Sequence, residues 1–160
     1  MNISIRHAEA SDLETVQKFG SELLNYERKA FDSSLDENWA FSDEAKKKYL
    51  AAINEKYVII AEKDGHAIGF LIGSIISPKA GDARPIKQGF LQNIYVDEAE
   101  RKTGIGNELL EDFKKYCIEE GVSRLNVSVL AKNEVAVSFY QKSGFKPRSI
   151  NLSMELTHSE

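Results

Sequence analysis

The stretch Leu91–Asn107, LQNIYVDEAERKTGIGN, decides the fold predicted for this chain. It begins with bulky residues that favour a β-strand, and an acidic turn follows. Gly104 and Gly106 come next, at the predicted start of a helix, where the lack of a Cβ lets a large group lie against the backbone. The first N–H groups of a helix have no internal partner, and the helix dipole is positive at that end. The segment is therefore predicted to bind an anion such as a pyrophosphate, with Arg101 and Lys102 adding positive charge.

Two common phosphate-binding motifs do not fit this stretch. A Walker loop ends in Gly-Lys-Ser/Thr, whereas Gly106 is followed by Asn107 and Glu108. A dinucleotide-binding fingerprint has a third glycine three places after the second, and that position is Leu109. Neither a nucleotide-hydrolysing loop nor a dinucleotide fold is therefore predicted.

Length and composition favour one globular domain covering residues 1–160. The 160 residues are 42% hydrophobic and 29% charged, which disfavours disordered and membrane classes. The formal net charge of −4 disfavours nucleic-acid binding, because such proteins are usually basic. No apolar run reaches membrane-spanning length, and MNISIRHA lacks the features of a signal peptide. A cytoplasmic protein with no membrane partner is expected.

The residues that most often hold metals or form disulfides are sparse. The single cysteine, Cys117, excludes an internal disulfide and is expected to be a small buried residue on the apolar side of a helix. His7, His66 and His158 are far apart in the sequence and show no ligand-like spacing. No metal site is predicted.

Hydrophobic periodicity and turn residues predict a strand, two helices, three strands in an antiparallel meander, a helix, a strand, a helix and a last strand region. Ser11 with Glu14 is predicted to form a capping box at the first helix, Ser42 or Asp43 to cap the second, and Asn133 to cap the last. The strands are predicted at 3–5, 57–62, 67–76, 90–96, 124–130 and 150–156, and the later helices at 104–120 and 134–143.

The turns and connections in this pattern define the fold class. Asp64-Gly65 predicts a hairpin turn, Pro78–Lys87 a loop, and Gly121 the residue that follows a helix. The strand–helix–strand unit over 90–130 implies a parallel pair, while the meander before it is antiparallel. The predicted class is α/β (mixed α+β), with a central mixed sheet of six to seven strands and about four helices.

Three segments of the chain resemble the GCN5-related N-acetyltransferase (GNAT) superfamily. They are the strand Ile94–Val96 followed by the Arg101–Gly106 turn, the residue Asn133 after the fifth strand, and the run Phe139–Phe145, FYQKSGF, which matches an aromatic-Tyr-x-x-x-Gly-Phe signature. The resemblance implies a GNAT-like fold that binds acetyl-CoA. It also implies an N-acetyltransferase that moves the acetyl group to a primary amine by direct attack.

The resemblance assigns roles to individual residues. Tyr140 is implied as the general acid that protonates the leaving sulfur, a role suited to a phenol that is neutral at pH 7. Lys102 stands where glycine is common, and Phe90 stands where several members carry a glutamate base. Glu27, or a water held by Gln92 and Asn93, is a substitute base. The residues implied to bind coenzyme A are Ile94, Tyr95, Val96, Arg101, Lys102, Thr103, Gly104, Ile105, Gly106, Asn133 and Tyr140.

The loop between the first two helices is implied to form the acceptor site. In the segment 26–45, six acids stand against two bases, which would attract a cationic small-molecule amine or a peptide amine. The same acids could equally be a solvated helix entry, and Tyr26, Phe31 and Trp39 could wall a pocket or close the core. The candidate acceptor-binding residues are Tyr26, Glu27, Asp32, Trp39, Gln92 and Asn93.

Other interpretations of the sequence stay open. A non-catalytic acyl-CoA-binding or sensing module would keep the cofactor site without the chemistry. Tyr140 lies four residues after Ala136, so it could serve helix packing alone. An unrelated phosphate-binding α/β domain is disfavoured by the signature at 139–145. A homodimer is compatible with the sequence but not indicated by it.

Overall fold

A single mixed sheet forms the centre of the computed structural model, which describes residues 2–78, 81 and 84–158. Its strands follow one another in space in the order of the chain. The first three pairings are antiparallel and the last is parallel. The sequence predicted the second, third and fourth of these pairings. The strands are β1 (Ile3–His7), β2 (Val58–Lys63), β3 (His66–Ile76), β4 (Gln88–Val96) and β5 (Arg124–Val127).

Helices cover both faces of this sheet. They are α1 (Leu13–Ala30), α2 (Asp43–Asn54), α3 (Ile105–Glu119) and α4 (Glu134–Lys142). The apolar sides of α1 and α2 pack on one face around Phe19 and Phe70. The apolar side of α3 packs on the other face around Phe113, together with Tyr140 from α4. No helix in the described parts of the chain is long and apolar enough to cross a membrane.

The ends of the first two helices show one wrong prediction and one confirmed prediction. The capping box predicted at Ser11 and Glu14 is wrong, because a 3₁₀ turn at Ala10–Asp12 precedes α1. There the side chain of Asp12 accepts the backbone N–H of residue 9 at 2.8 Å. Ser42 does cap α2, since its Oγ accepts the backbone N–H of Ala45 at 3.1 Å.

The predicted turn residues take the backbone conformations that their chemistry favours. Asp64 and Gly65 both have positive φ, 50° and 82°, in the tight hairpin between β2 and β3. Gly121, which follows α3, has φ 76°. Positions 79, 80, 82 and 83 of the loop predicted at Pro78–Lys87 lie outside the described residues.

The strand predicted at 150–156 is wrong for the single chain. Residues 146–158 are all exposed and form neither helix nor strand, so the described sheet has five strands instead of six to seven. The alternation of apolar and polar residues there suits a strand, but a strand also requires backbone hydrogen bonds to a neighbour. β5 likewise ends at Val127 and not at Leu130.

Candidate active site

The second half of β4 has a neighbouring strand on one side only. β5 pairs with β4 from Gln88 to Leu91, whereas β3 continues beside β4 as far as Val96. The β5-facing edge of residues 92–96 therefore has no strand partner within the described sheet. Backbone N–H and C=O groups on such an edge are free to bind an extended ligand.

A β-bulge lies where β4 leaves β5. On β3, Ile72 pairs with Asn93 and Gly73 pairs with Leu91, which leaves Gln92 without an opposite residue. A bulge bends its strand and redirects its side chains, and bulges often lie beside active sites. Neither glycine nor proline occupies this position in β4, so no local residue signal predicts the bulge.

Side chains around the bulge limit which groups can act as a base. The Nε2 of Gln92 donates to the Oγ of Ser74 at 3.2 Å, so this amide is tied to β3. Phe90 pairs with Ser74 on one side and Asn126 on the other, and its half-buried ring has no group that accepts a proton. Asn93 is also half-buried.

The glycine turn leads from β4 into α3. Gly104 is the N-cap of α3 with φ 94°, and no side chain among the described residues caps the helix, so its first N–H groups lack a side-chain partner there. Lys102 has φ 62°, a conformation that glycine adopts without steric cost. A Cβ built on Gly106 would lie 3.6 Å from the ring of Phe139 on α4, so the glycine keeps a narrow space open there. The hydroxyl of Thr103 donates to the carbonyl of residue 100 at 2.5 Å and closes the turn.

Arg101 connects this turn to α1. Its Nε donates to the carbonyl oxygen of Val96 at 2.9 Å. Its guanidinium lies 5.7 Å from the ring centre of Tyr26 and 5.6 Å from that of Tyr95. The structure thus gives Arg101 a bracing role that sequence reasoning missed, and its predicted contact with phosphate stays a prediction.

The side chains at the end of β4, which belong to residues predicted to bind coenzyme A, point to opposite faces of the sheet. Ile94 and Val96 pack on the α3 side, whereas Tyr95 packs under α1, 5.4 Å from Phe19 between ring centres. Burial raises the pKa of Tyr95, and Glu22 raises it further. The backbone of this segment, and not the phenol of Tyr95, is therefore what the open edge offers.

Tyr140 is the buried phenol of the site. Its side chain is 7% exposed and makes edge contacts with Phe139 and Phe145, at 5.1 and 5.5 Å between ring centres. Burial raises the pKa of Tyr140, and the charge of Glu27 raises it further. The hydroxyl therefore keeps its proton at neutral pH.

The prediction that Asn133 caps α4 is confirmed. The backbone N–H of Ala136 donates to the side-chain Oδ1 of Asn133 at 3.1 Å.

Glu27 is the carboxylate that α1 supplies. It is half-buried, and burial raises its pKa. Since its charge acts on Tyr140, the two side chains lie within electrostatic reach, one on α1 and the other on α4. Tyr26 beside it is 42% exposed and packs its edge against Phe31 at 5.7 Å.

Most of the other acids in the segment 26–45 have local structural partners. Asp36 accepts the N–H of Asn38 at 2.9 Å, and Asp32 accepts both the N–H and the hydroxyl of Ser34, at 3.0 and 2.6 Å. Contact with Ser34 lowers the pKa of Asp32, and the charge of Lys132 lowers it further. Ion pairs engage Glu37 with Arg28 and Glu44 with Lys48.

Trp39 lies with α2 and not beside Tyr140. Its ring centre is 6.0 Å from that of Tyr49, and Lys48 Nζ lies 5.4 Å from the Trp39 ring. Of the two roles considered for Trp39, the packing role is the one the described contacts support.

The sequence model of the acetyltransferase (GNAT) family matches residues 17–145, which include β4, the glycine turn, Asn133 and Tyr140. This chain belongs to that family. The family and the fold predicted from the sequence are thereby confirmed.

Curated relatives vary in how much of their length is matched. A spermidine N(1)-acetyltransferase from Thermoplasma acidophilum is 28% identical over 91% of this chain and 89% of its own length. A chloroplastic GCN5-related N-acetyltransferase 7 from Arabidopsis thaliana is 29% identical over 58% of this chain and 34% of its own. Two uncharacterised N-acetyltransferases from Bacillus subtilis are matched over 49% and 25% of their length. The chain thus spans half or less of three of these four relatives.

Solved structures agree with the fold. The PaiA N-acetyltransferase from Thermoplasma acidophilum, solved in complex with coenzyme A, is 25% identical and superposes with a TM-score of 0.80 over 94% of each chain. A mutant of the BH1408 protein from Bacillus halodurans gives a TM-score of 0.83 at 18% identity, over 96% of this chain and 99% of that one.

Proposed function

We propose that this chain is an acetyl-CoA-dependent N-acetyltransferase that moves the acetyl group from the thioester to a primary amine by direct attack. The observation that carries the proposal is the unpaired edge of β4 at residues 92–96, which leads into the Gly104 turn and the start of α3. The edge suits the extended pantetheine arm, whose amides can bond to strand backbone. The free N–H groups of α3 suit the pyrophosphate.

The same edge suits the carbonyl of the thioester. When the amine attacks, negative charge develops on that oxygen, and fixed backbone N–H groups stabilise it without reorganising. In our proposal, the backbone nearest to that oxygen is that of Ile94 and Tyr95. Collapse of the tetrahedral intermediate then breaks the carbon–sulfur bond and releases a thiolate.

Tyr140 is proposed to give its proton to that thiolate. A buried phenol with a raised pKa is a weak acid in isolation. However, an apolar site also disfavours the thiolate and so raises the pKa of the leaving thiol. Transfer of the proton moves the negative charge from the sulfur to the Tyr140 oxygen, and the proton that the base takes from the amine restores the phenol. Phe139 and Phe145 provide the apolar walls around Tyr140.

Glu27 is proposed as the base that removes the proton from the amine. Its raised pKa makes it a stronger proton acceptor than an exposed carboxylate, and its charge reaches the Tyr140 side of the site. The other candidate, a water held by Gln92 and Asn93, is less favoured because the Gln92 amide is bonded to Ser74.

A cationic small-molecule amine is the proposed acceptor. Glu27 supplies negative charge on the Tyr140 side of the site, and the relative matched over 91% of this chain is named a spermidine acetyltransferase. A further neighbour, AAC(6')-Iy, was solved with an analogue that joins coenzyme A to acetylneamine. A polyamine or an aminoglycoside-like amine therefore comes before a peptide amine as the acceptor to test.

Turnover of acetyl-CoA with a panel of amines tests the proposal. The release of free thiol gives the reaction rate, and mass spectrometry identifies the acetylated product. The panel would hold a polyamine, an aminoglycoside and a peptide with a free amino terminus. Binding of coenzyme A without turnover of any amine would favour the non-catalytic sensing module. Failure to bind coenzyme A would refute the cofactor site itself.

A further inference from the structure

Two glycines of the sheet lie directly under side chains of α3. A Cβ built on Gly73 of β3 would lie 2.7 Å from both Cε1 and Cε2 of Phe113, closer than real Cβ atoms approach other atoms. A Cβ built on Gly89 of β4 would lie 3.2 Å from Sγ of Cys117. The Phe113 side chain is fully buried in the core on the α3 side of the sheet. Each glycine therefore leaves the space that one side chain of α3 occupies.

Backbone conformation does not explain either glycine. Neither Gly73 nor Gly89 has a positive φ, so an alanine at these positions meets no conformational strain. Glycine in the interior of a strand is unfavourable, because it loses more conformational entropy on folding than other residues and has no side chain to pack. The function of these two glycines is therefore to bring α3 close to the sheet at defined points.

The Gly73 contact coincides with the point where the edge of β4 opens. Gly73 pairs with Leu91, the last residue of β4 that also pairs with β5. Gln92 comes next, at the bulge. The N–H of Gly73 donates to the carbonyl oxygen of Tyr57 at 2.9 Å, which ties this point to the residue before β2. Phe113 thus contacts the sheet where the open edge at 92–96 begins.

Phe113 also has a fixed relation to the start of α3. It lies eight residues after Ile105, which is about 12 Å along the helix axis. Cys117 lies about one turn further along the same side of α3, over Gly89. Two contacts one turn apart fix the position of α3 along the sheet and its rotation about its own axis.

We propose that Gly73 and Phe113 are positioning residues, which together set the distance between the open edge at 92–96 and the start of α3. The inference rests on the proposed function, in which the thioester lies on that edge and the pyrophosphate at the start of α3. Because one molecule of coenzyme A must reach both places, a shift of α3 along the sheet moves the thioester relative to the amine. A misplacement of about 1 Å can slow an enzymatic reaction by roughly 100-fold.

Two acetyl donors of different length test the proposal. Acetyl-CoA needs both the edge and the start of α3, whereas acetyl-pantetheine has no pyrophosphate and needs the edge alone. In Gly73→Ala the new methyl group meets the tip of the Phe113 ring, which cannot move in a close-packed core without moving its helix. The kcat/KM for acetyl-CoA should therefore fall by roughly 10–100-fold, while that for acetyl-pantetheine changes little. Calorimetry should show a weaker Kd for coenzyme A in the same variant.

Gly20→Ala is the matched control on the opposite face of the sheet. Its Cβ would lie 3.2 Å from Cζ of Tyr49, so it crowds the core between α1 and α2 and should lower the thermal midpoint without moving α3. The ratio of kcat/KM between the two donors should then equal the wild-type ratio. A fall of this ratio in Gly20→Ala as large as in Gly73→Ala would overturn the proposal, because general loss of stability would explain both.

A second substitution should rescue the first. Phe113→Leu in the Gly73→Ala background shortens the side chain and leaves room for the new methyl group, so the donor ratio and the Kd of coenzyme A should return towards their wild-type values. If Gly73→Ala alone does not fold, Gly89→Ala crowds the same helix more mildly and should lower the same ratio. If the wild type uses acetyl-CoA alone, the Kd of coenzyme A in these variants makes the comparison.

The outcomes separate this inference from the function on which it rests. A wild type that acetylates no amine and binds no coenzyme A refutes the proposed function and this inference with it. With an active wild type, an unchanged donor ratio and Kd in Gly73→Ala overturn the positioning role alone. The same holds if the double variant keeps the altered ratio, or if Gly89→Ala, used in place of an unfolded Gly73→Ala, behaves as wild type.

Discussion

The charge of Glu27 on α1 raises the pKa of Tyr140 on α4, so a carboxylate and a phenol from distant parts of the chain lie within electrostatic reach of each other. Both side chains have pKa values raised by burial. A raised pKa favours proton acceptance by the carboxylate, and it keeps the phenol protonated at neutral pH until the thiolate forms. The pair therefore fits the two proton transfers that amine acetylation requires, one from the amine and one to the sulfur.

Replacing Tyr140 with phenylalanine keeps the ring contacts and removes only the hydroxyl. The kcat should fall by roughly 10²–10⁴-fold, the usual worth of a positioned general acid. The Kd of coenzyme A should change little, because the lost interaction belongs to the transition state. Tyr116→Phe is the control, since that hydroxyl bonds to a backbone carbonyl outside the site at 3.3 Å and its loss should leave kcat unchanged. Near-wild-type turnover of Tyr140→Phe would return this residue to a packing role.

Replacing Glu27 with glutamine tests the base through its pH profile. Below its pKa the carboxyl is protonated and cannot accept a proton, so kcat/KM should fall as the pH drops. Since burial raises that pKa, the acidic limb should lie above the usual value of about 4.3 and should be the same for two amines of different pKa. In Glu27→Gln, the limb should instead follow the pKa of each amine.

The control for this change is Glu44→Gln, which removes an exposed carboxylate paired with Lys48 and should leave the profile unchanged. A wild-type limb that already follows the amine would exclude Glu27 as the base. The water route through Gln92 and Asn93 would then be the one to examine.

Adding one methyl group at Gly106 should narrow the proposed cofactor space without harming the fold. The new Cβ of Gly106→Ala would meet Phe139 at 3.6 Å, an ordinary contact, and alanine favours a helix over glycine by roughly 1 kcal/mol. The thermal midpoint should therefore stay or rise, while the Kd of coenzyme A rises at least tenfold in calorimetry. Asn107→Ala, at the next and exposed position, should leave the Kd unchanged. An unaltered Kd in Gly106→Ala would move the pyrophosphate away from this turn.

Replacing Asp12 with asparagine should destabilise the chain by about 1.5–3 kcal/mol, the range for hydrogen bonds to charged groups. Asp12 binds Arg6 through two bonds of 2.8 and 2.9 Å, and this contact lowers the pKa of the carboxyl. A lowered carboxyl pKa contributes stability that is present above the unfolded pKa of about 3.9 and is lost as the pH falls through the folded pKa. The gap in free energy of unfolding between wild type and Asp12→Asn should thus be widest near neutral pH and close below about pH 4. A gap that is constant with pH would show that the charge is not involved.

The sequence predicted those parts of the fold that local chemistry determines. The bounds of α3 were right within one residue at each end, because Gly104 and Gly121 both adopt positive φ and mark them. Asn133 was recognised as a cap for the same kind of reason, since a capping side chain acts within three residues. Signals that act over only a few residues can be recognised from the sequence alone.

Features that depend on distant neighbours were missed or wrongly predicted. The bulge at Gln92 depends on how β4 pairs with β3, and the strand predicted at 150–156 lacks a neighbour in the single chain. The acidic segment was counted as one charged surface, although ion pairs such as Arg28–Glu37 and local caps such as Asp36 engage most of it. Charge counts cannot show such pairing, because each partner is chosen by the folded geometry.

Cys117 has a practical consequence for measuring the proposed reaction. The thiol is buried at 3% exposure, and burial raises its pKa to about 11, so the reactive thiolate is scarce at neutral pH. A disulfide dye that detects released coenzyme A should therefore meet almost no background from the folded chain, and the native cysteine can be kept. The same dye, added without substrate, should label one equivalent of thiol only when the chain unfolds. The rate of labelling at Cys117 therefore reports the rate of unfolding.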